Sequence, residues 1–375
     1  MKIITLNEFV NNINFPSLKN KHIIGLDLGY SSPKCFYEHG YFTFPNQVHK
    51  CKGELFGDIP LDTLLYKNDN NEIYLCGKEA LNAITSDETF SEETYSRNHY
   101  LQKDFKVIFE LALGLACFNK DFCNTNGEDL FIQTGLPPAY KLSDSELLKS
   151  IMVGNHKFSV TRGNITRDFN ITLTAEQIDV MSQPMGTFNS LLFNDNGTFS
   201  VNAKELMSEN VLLLDAGFVT LDKFSIRSHE LVNTNSDNNL GMKRIFEEMR
   251  SELSKDYSIN INIPELRRAC ENGILKINDR INMTTKDIDL TEYFNRANKK
   301  VMDLAFDEIK DYVFDSKILI VTGGTSALWV DYFKERLKNL PIKIMMGNEN
   351  TTMSIVYANA RGYYFNRYHK MCKNT

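Results

Sequence analysis

Apolar positions along this chain come in short runs, each closed by a turn carrying an acidic residue or glycine. His22-Ile-Ile-Gly-Leu-Asp-Leu-Gly29 reads as a buried strand ending in a carboxylate-bearing turn, and Cys35 to Tyr37 can return beside it. Val211-Leu-Leu-Leu214 ends the same way in Asp215-Ala-Gly217 and returns through Thr220–Ile226, about 190 positions later. The chain therefore reads as internally duplicated. A third buried run, Lys317-Ile-Leu-Ile-Val321, meets Thr322-Gly-Gly-Thr-Ser326, and Leu130 to Thr134 is stopped by Gly135-Leu-Pro-Pro138.

Helical spacing appears between these strands. Leu101 to Phe118 places Phe105, Ile108, Phe109, Leu111, Leu113 and Leu115 on a buried helix. Further helices are predicted over Ser143–Met152, after the third run with Leu328, Trp329 and Phe333, and over Met353–Phe365. Residues 241–312 read as mostly helical, Gly241 preceding one helix through Met249 and Pro264 opening another, with Asn233–Asn239 a polar stretch before them. Strands are expected near Lys157–Thr161, Phe169–Leu173 and Ile342–Met346. Residues 38–100 mix short aromatic strands with polar loops, as an inserted subdomain would, and residues 1–20 read as an appended arm or helix.

Composition narrows the class. A length of 375 residues suggests two or three lobes, and 42% hydrophobic with 24% charged residues fits a globular chain. The formal charge of -6 lacks the cationic field that non-specific nucleic-acid binding relies on, so direct DNA binding is disfavoured. Lys50/Lys52, Arg267-Arg268 and Lys299-Lys300 read as solvated surface. Seven scattered cysteines (35, 51, 76, 117, 123, 270, 372) include no C-x-x-C, which suggests neither a disulfide framework nor a zinc site and fits a reducing cytoplasm. No run approaches the ~18 apolar residues of a membrane span. The seven histidines stand apart, without metal-ligand spacing, and Trp329 reads as core.

The chemistry lies at the strand ends. In each Asp-x-Gly hairpin, glycine lets backbone N–H groups approach phosphate oxygens while the aspartate can hold a hydrated Mg²⁺. The first continues as D-L-G-Y-S-S-P-K, adding Tyr30, Ser31, Ser32 and Lys34 to Asp27 and Gly29; the second as D-A-G-F-V-T-L-D, adding Phe218, Thr220 and Asp222 to Asp215 and Gly217. Together with I-L-I-V-T-G-G-T-S, in this order, these resemble the phosphate-1, phosphate-2 and adenosine loops of the actin, sugar-kinase and heat-shock chaperone superfamily. The resemblance makes Asp27 and Asp215 metal ligands through water, with Asp222 beside them. It makes Gly323, Gly324 and Thr325 nucleoside contacts, and Gln183, in Met181-Ser-Gln-Pro-Met-Gly186, the residue that positions water. Gly241 and Lys243 resemble nucleotide-facing positions of the second domain. No G-x-x-x-x-G-K-[ST] or G-x-G-x-x-G is present.

Within the superfamily, Phe44-Pro45-Asn46, Tyr74-Leu-Cys-Gly-Lys-Glu-Ala80, Thr134-Gly-Leu-Pro137 and Gly154-Asn-His-Lys-Phe-Ser-Val160 resemble segments of ParM-like plasmid-segregation proteins. That resemblance covers about residues 20–365. It implies an α/β, actin-like fold: two ribonuclease-H-like domains with subdomain insertions around a central nucleotide cleft. The expected division is an extension over 1–20, domain I over 21–190 with the helix of 350–375 returning to it, and domain II over 191–349. The implied activity is ATP hydrolysis with Mg²⁺, GTP being the alternative nucleotide, coupled to head-to-tail, two-stranded filaments. Such filaments would move plasmids through a DNA-bound adaptor, in the cytoplasm and without a membrane. The alternatives are a sugar-type kinase, although no aspartate base for a sugar hydroxyl is evident, and a bacterial actin with a cell-shape or other cytoskeletal role. A heat-shock chaperone would need a substrate-binding domain after its nucleotide domain, and the sequence closes shortly after its last helix.

Overall fold

The computed structural model describes residues 6–52, 60–83, 99–119, 126–227, 230–237, 239–279 and 282–373; Cys123 and part of the aromatic insertion lie outside them. Two sheets of the same plan organise the chain. In the first, His22–Leu28, Pro33–Tyr37 and Gly40–Thr43 form an antiparallel series. Leu130–Leu136 then joins the leading strand in parallel on its other side, followed by Ile178–Ser182. In the second, Val211–Ala216, Leu221–Arg227 and Glu230–Asp237 form the series, and Ile318–Thr322 and Lys343–Met346 join in parallel. The two hairpins recognised in the sequence thus lead two copies of one topology. Since ligands of open α/β sheets bind outside the carboxyl ends of the strands, Asp27 and Asp215 stand at the ends that matter.

Insertions and additions distinguish the copies. A five-stranded antiparallel sheet, in the order Ile165–Leu173, Gly154–Arg162, Leu64–Asn68, Ile73–Cys76, Val48–Lys50, branches from the first. The helix Lys103–Ala116 packs its buried face into the same core. The amino-terminal arm is a strand rather than a helix: Glu8–Asn11 pairs antiparallel with Gly40–Thr43, making the first sheet six-stranded. Phe15 is buried beyond it, its ring 4.4 Å from that of Phe36. Close approach fixes the pairing, because a Cβ on Gly40 would lie 2.1 Å from the Val10 carbonyl.

Several local expectations are corrected. The polar stretch Asn233–Asn239 enters an edge strand, Glu230–Asp237, whose ladder bonds do not require apolar side chains. The region 241–312 holds helices Met242–Tyr257, Ile263–Asn272 and Thr291–Val313, but also the hairpin Ile274–Asp279/Thr284–Asp289, whose second strand is largely exposed. Pro138 opens the helix expected from Ser143, as proline favours the first helical turn. The last helix is Ala358–Cys372, preceded by a single turn at Ile355–Tyr357. No helix among the described residues is long and apolar enough to cross a membrane.

Two helices lie between the sheets. Pro184–Leu192 leaves the first sheet, and Ala358–Cys372 returns to it late in the chain. One apolar cluster takes Ile23 and Phe36 from the first sheet, Leu213, Phe224 and Ile320 from the second, and Leu191, Ala360 and Tyr364 from these helices. Glycines set the separations: a Cβ on Gly362 would lie 1.6 Å from the Gly186 carbonyl oxygen, and one on Gly25 2.1 Å from that of Ala360. The buried Arg361 secures the crossing, bonding to the Ser190 carbonyl at 2.6 Å, the Phe193 carbonyl at 2.8 Å and Asp195 at 2.8 Å. Gly362→Ala is therefore expected to cost about 3 kcal/mol or more, because backbone rather than a side chain must move. Urea denaturation of the nucleotide-free protein measures it.

Candidate nucleotide site

The hairpin tips and the loop after Ile318–Thr322 line one cleft between the two sheets, about 1210 Å³ with its open mouth included. Asp27, Gly29, Tyr30, Ser31 and Lys34 come from the first tip, Asp215, Gly217, Phe218 and Thr220 from the second, and Gly323, Gly324 and Thr325 from the third loop. Gln183 also lines it, its backbone N–H donating to the Leu136 carbonyl at 2.8 Å. Ser32 and Asp222 are buried behind the lining. Neither Gly241 nor Lys243 reaches it. Gly241 packs against the Phe218 carbonyl, and the Lys243 ammonium lies 3.5 Å from Glu247 of its own helix. The backbone N–H groups of Met242 and Lys243 donate to the carbonyls of Gly217 and Phe218, so this helix start supports the second tip.

Each loop is held from outside. Asn46, from the Phe-Pro-Asn segment, donates its amide to the Tyr30 carbonyl at 3.1 Å and its backbone N–H to that of Ser31 at 2.9 Å. Thr325 donates its backbone N–H to Ala216 at 3.0 Å and its hydroxyl to Gly217 at 2.9 Å, pinning the third loop to the second hairpin. Gly323 has φ +88°, and a Cβ there would meet Asp215 Oδ1 at 2.4 Å. A Cβ on Gly324 would meet only Val356, at 3.9 Å, so this peptide faces open cleft.

Charge is distributed unequally between the tips. Asp27 pairs across its hairpin with Lys34, whose ammonium lies 3.9 Å from the carboxylate. At the corresponding positions Asp215 pairs with Asp222. Burial raises the Asp27 carboxyl, and Lys34 opposes the shift. Burial pushes Asp215 up to about 6, with the Asp27 charge adding and the Asn359 amide opposing. Burial, then Asp215, pushes Asp222 up to about 7. Asp222 accepts from the Thr220 hydroxyl at 3.2 Å, and the Ser236 hydroxyl of the paired strand also opposes its shift. Buried carboxylates so placed favour a cation. No three His, Cys, Asp or Glu side chains among the described residues converge as a direct ligand set; Asp27 and Asp215 are the cleft carboxylates that could hold a cation through water.

Other contributors were not read as site residues from the sequence. Asn359 of the last helix donates to Asp215 Oδ2 at 2.9 Å and accepts from the backbone N–H and hydroxyl of Thr187 at 3.0 and 2.8 Å. Thr322 completes the chain, its hydroxyl 3.0 Å from that of Thr187. Arg267, expected on solvated surface, is 1% exposed. From helix Ile263–Asn272 it crosses the cleft to donate to the Ser31 carbonyl at 3.3 Å, with its guanidinium 5.7 Å from the Phe218 ring. Its neighbour Arg268 reaches the Asn82 carbonyl at 3.2 Å. The amphipathic pattern Ile263, Leu266, Cys270 places Arg267 beside buried Leu266; only the tertiary structure supplies what it crosses to.

No family model matches the sequence, and no curated protein matches it. Solved structures do resemble the fold over nearly its whole length. A pCBH ParM, described as a non-polymerisable quadruple mutant, is 20% identical with a TM-score of 0.70, covering 94% of this chain and 99% of the other. A ParM from a 15-stranded filament of Clostridium botulinum is 20% identical with a TM-score of 0.68, covering 94% and 100%. The archaeal actin homolog Ta0583 in complex with ADP is 16% identical with a TM-score of 0.61, covering 93% and 99%. With its duplicated sheets, the helix pair between them and the cleft at their strand ends, the chain has the actin-like fold shared by these structures.

Proposed function

We propose that the chain binds ATP with Mg²⁺ in this cleft, hydrolyses it, and assembles head to tail into filaments. The observation that carries the reading is the convergence of three strand-end loops, from two copies of one sheet, on buried carboxylates set against Lys34. The likeness to an ADP complex and to filament structures supports nucleotide binding and self-association. Plasmid segregation through a DNA-bound adaptor is the proposed use of the filament, in the cytoplasm, with GTP the alternative nucleotide. Heterologous contacts that do not close into a ring give open polymers.

The residues divide the work. Backbone N–H groups of the two tips and Lys34 receive the phosphates, and the bare peptide of Gly324 receives the nucleoside. Asp27 and Asp215 would hold Mg²⁺ through its water shell, with the buried Asp222 behind them adding negative charge. When bound, the ion neutralises charge that develops on the phosphate oxygens. Gln183, a neutral amide at the cleft, orients water rather than removing its proton. Arg267 ties the first tip to the second domain across the mouth.

Sedimentation with and without MgATP tests the reading: polymer is expected to pellet only with nucleotide. Absence of a pellet, together with ATP consumption only when a sugar is added, would favour the kinase instead. Gln183→Ala is expected to pellet as the parent does while phosphate release slows by about two orders of magnitude. Release at the parental rate would remove Gln183 from the mechanism.

The carboxylates also make a pH prediction. Unfolded Asp titrates near 3.8, whereas Asp215 and Asp222 titrate about 6 and about 7 in the folded chain. The folded state therefore holds more protons between those limits. Their contribution to stability is fullest below the unfolded value and is lost as pH rises through 6 and 7. The nucleotide-free melting temperature should fall from about pH 5 to about pH 8, and less so in Asp222→Asn. Stabilisation by MgATP should grow over the same range, because the ion requires the charged carboxylates. Calorimetric scans across pH read both trends, and parallel slopes in the variant would contradict the assignment.

A further inference from the structure

Beneath the first tip lies a polar group with no assigned task. Tyr363, on the last helix, is fully buried and its hydroxyl has no hydrogen-bond partner. Such a group costs stability, and native chains keep few of them without a reason. Its location is set by glycine: a Cβ on Gly135 would lie 2.1 Å from the Tyr363 oxygen, so the phenol occupies the space of a side chain at 135.

That space adjoins Asp27. Leu26 pairs with Thr134 in the parallel ladder, which puts Asp27 and Gly135 one step further along neighbouring strands. Side chains alternate along a strand, and Gly25, two residues before Asp27, faces the last helix through Ala360 and Tyr364. Asp27 and the Tyr363 hydroxyl therefore share the face of the sheet that meets this helix. The ring also touches the helix start after Gln183, a Cβ on Gly186 lying 2.5 Å from Tyr363 Cε1. Burial, with the charges of Asp27, Asp215 and Asp222, keeps the phenol protonated, so it can donate. In the second half, Thr322 stands opposite Asp215, and its hydroxyl is already engaged with Thr187. Beside Asp27 the corresponding strand position is Gly135, and the Tyr363 hydroxyl fills that space without a bond of its own.

We infer that Tyr363 is a positioning residue for Asp27, its hydroxyl donating to a buried water that bridges to the Asp27 carboxylate and orients it toward the hydrated cation. The inference rests on the MgATP reading above. A water at this place has the donor on one side and an acceptor on the other, as a buried water requires. Groups that orient a metal-binding carboxylate from outside tune its affinity on the order of ten-fold or more.

Tyr363→Phe tests this, since it removes one oxygen and keeps the packing. Thermal denaturation at saturating ATP, titrated with MgCl₂, is followed beside turnover. The variant is expected to need on the order of ten-fold more Mg²⁺ for half-maximal stabilisation and for half-maximal turnover, with ATP affinity in EDTA unchanged. A merely unpaired hydroxyl gives a different result: the nucleotide-free variant melts higher and the Mg²⁺ dependence stays parental, which would overturn the inference. A lower melting temperature with parental Mg²⁺ dependence overturns it equally. Failure of the parent protein to respond to MgATP would instead overturn the nucleotide reading.

Discussion

The crossing of Pro184–Leu192 with Ala358–Cys372 is the contact on which the remaining architecture depends. Gly186 and Gly362 meet there backbone to backbone, and Gly25 admits the same late helix onto the leading strand of the first sheet. Without side chains at these points the helices approach closely enough for one apolar cluster to join both sheets. The same closeness lets Asn359 touch Thr187 on one side and Asp215 on the other. A relative shift of the domains must therefore be felt at the carboxylate, since helix, second hairpin and third loop share one hydrogen-bonded chain through Thr187 and Thr322. Arg267 makes the complementary tie at the mouth of the cleft.

Electrostatics gives this geometry its consequence. The cleft gathers carboxylates that the fold compensates only in part, since burial raises Asp215 and Asp222 although Asn359 donates to the one and Thr220 to the other. Two such carboxyls cost the fold stability once they are charged, because burial disfavours the charged form. The proposed Mg²⁺ would recover part of that cost on binding, so it is expected to stabilise the fold at these carboxylates. Sites of function commonly carry such uncompensated groups.

Legibility in the sequence followed the range of the interactions. The hairpin tips, the third loop and the duplication were readable because each is a local run, an apolar strand followed by its own turn. Asn46 could be singled out as part of a segment, but its bonds to the first tip could not be. Asn359 and Tyr363 escape a sequence reading for the same reason: their partners lie far away in the chain, so periodicity registers them as residues of a helix face and nothing more, while Arg267 beside Arg268 looks like a solvated basic pair. Edge structure misled in the other direction. Asn233–Asn239 looks like a loop because an outer strand needs a partner on one side only, and its polar side chains carry no alternation to detect. Gly241-x-Lys243 opens a helix whose first N–H groups brace the second tip, a role that its spacing does not announce.

On the proposed reading, the duplication lets one cleft treat phosphate and cation differently. Asp27 and Asp215 occupy the same place in the two hairpins, and their cross-strand partners, Lys34 and Asp222, lie seven residues on in both. A lysine in one copy and an aspartate in the other turn a symmetric scaffold into a polarised one, with an ammonium at the first tip and two carboxyls at the second. A phosphate chain with its ion is itself polarised, anionic oxygens beside a divalent cation, and matches such a pair of tips better than two identical ones. The neighbouring strands diverge in step. Gly135 leaves room beside Asp27 for Tyr363, whereas Thr322 beside Asp215 bonds to Thr187. Divergence at these few register positions, with the sheets unchanged, is what would give the proposed nucleotide site its direction.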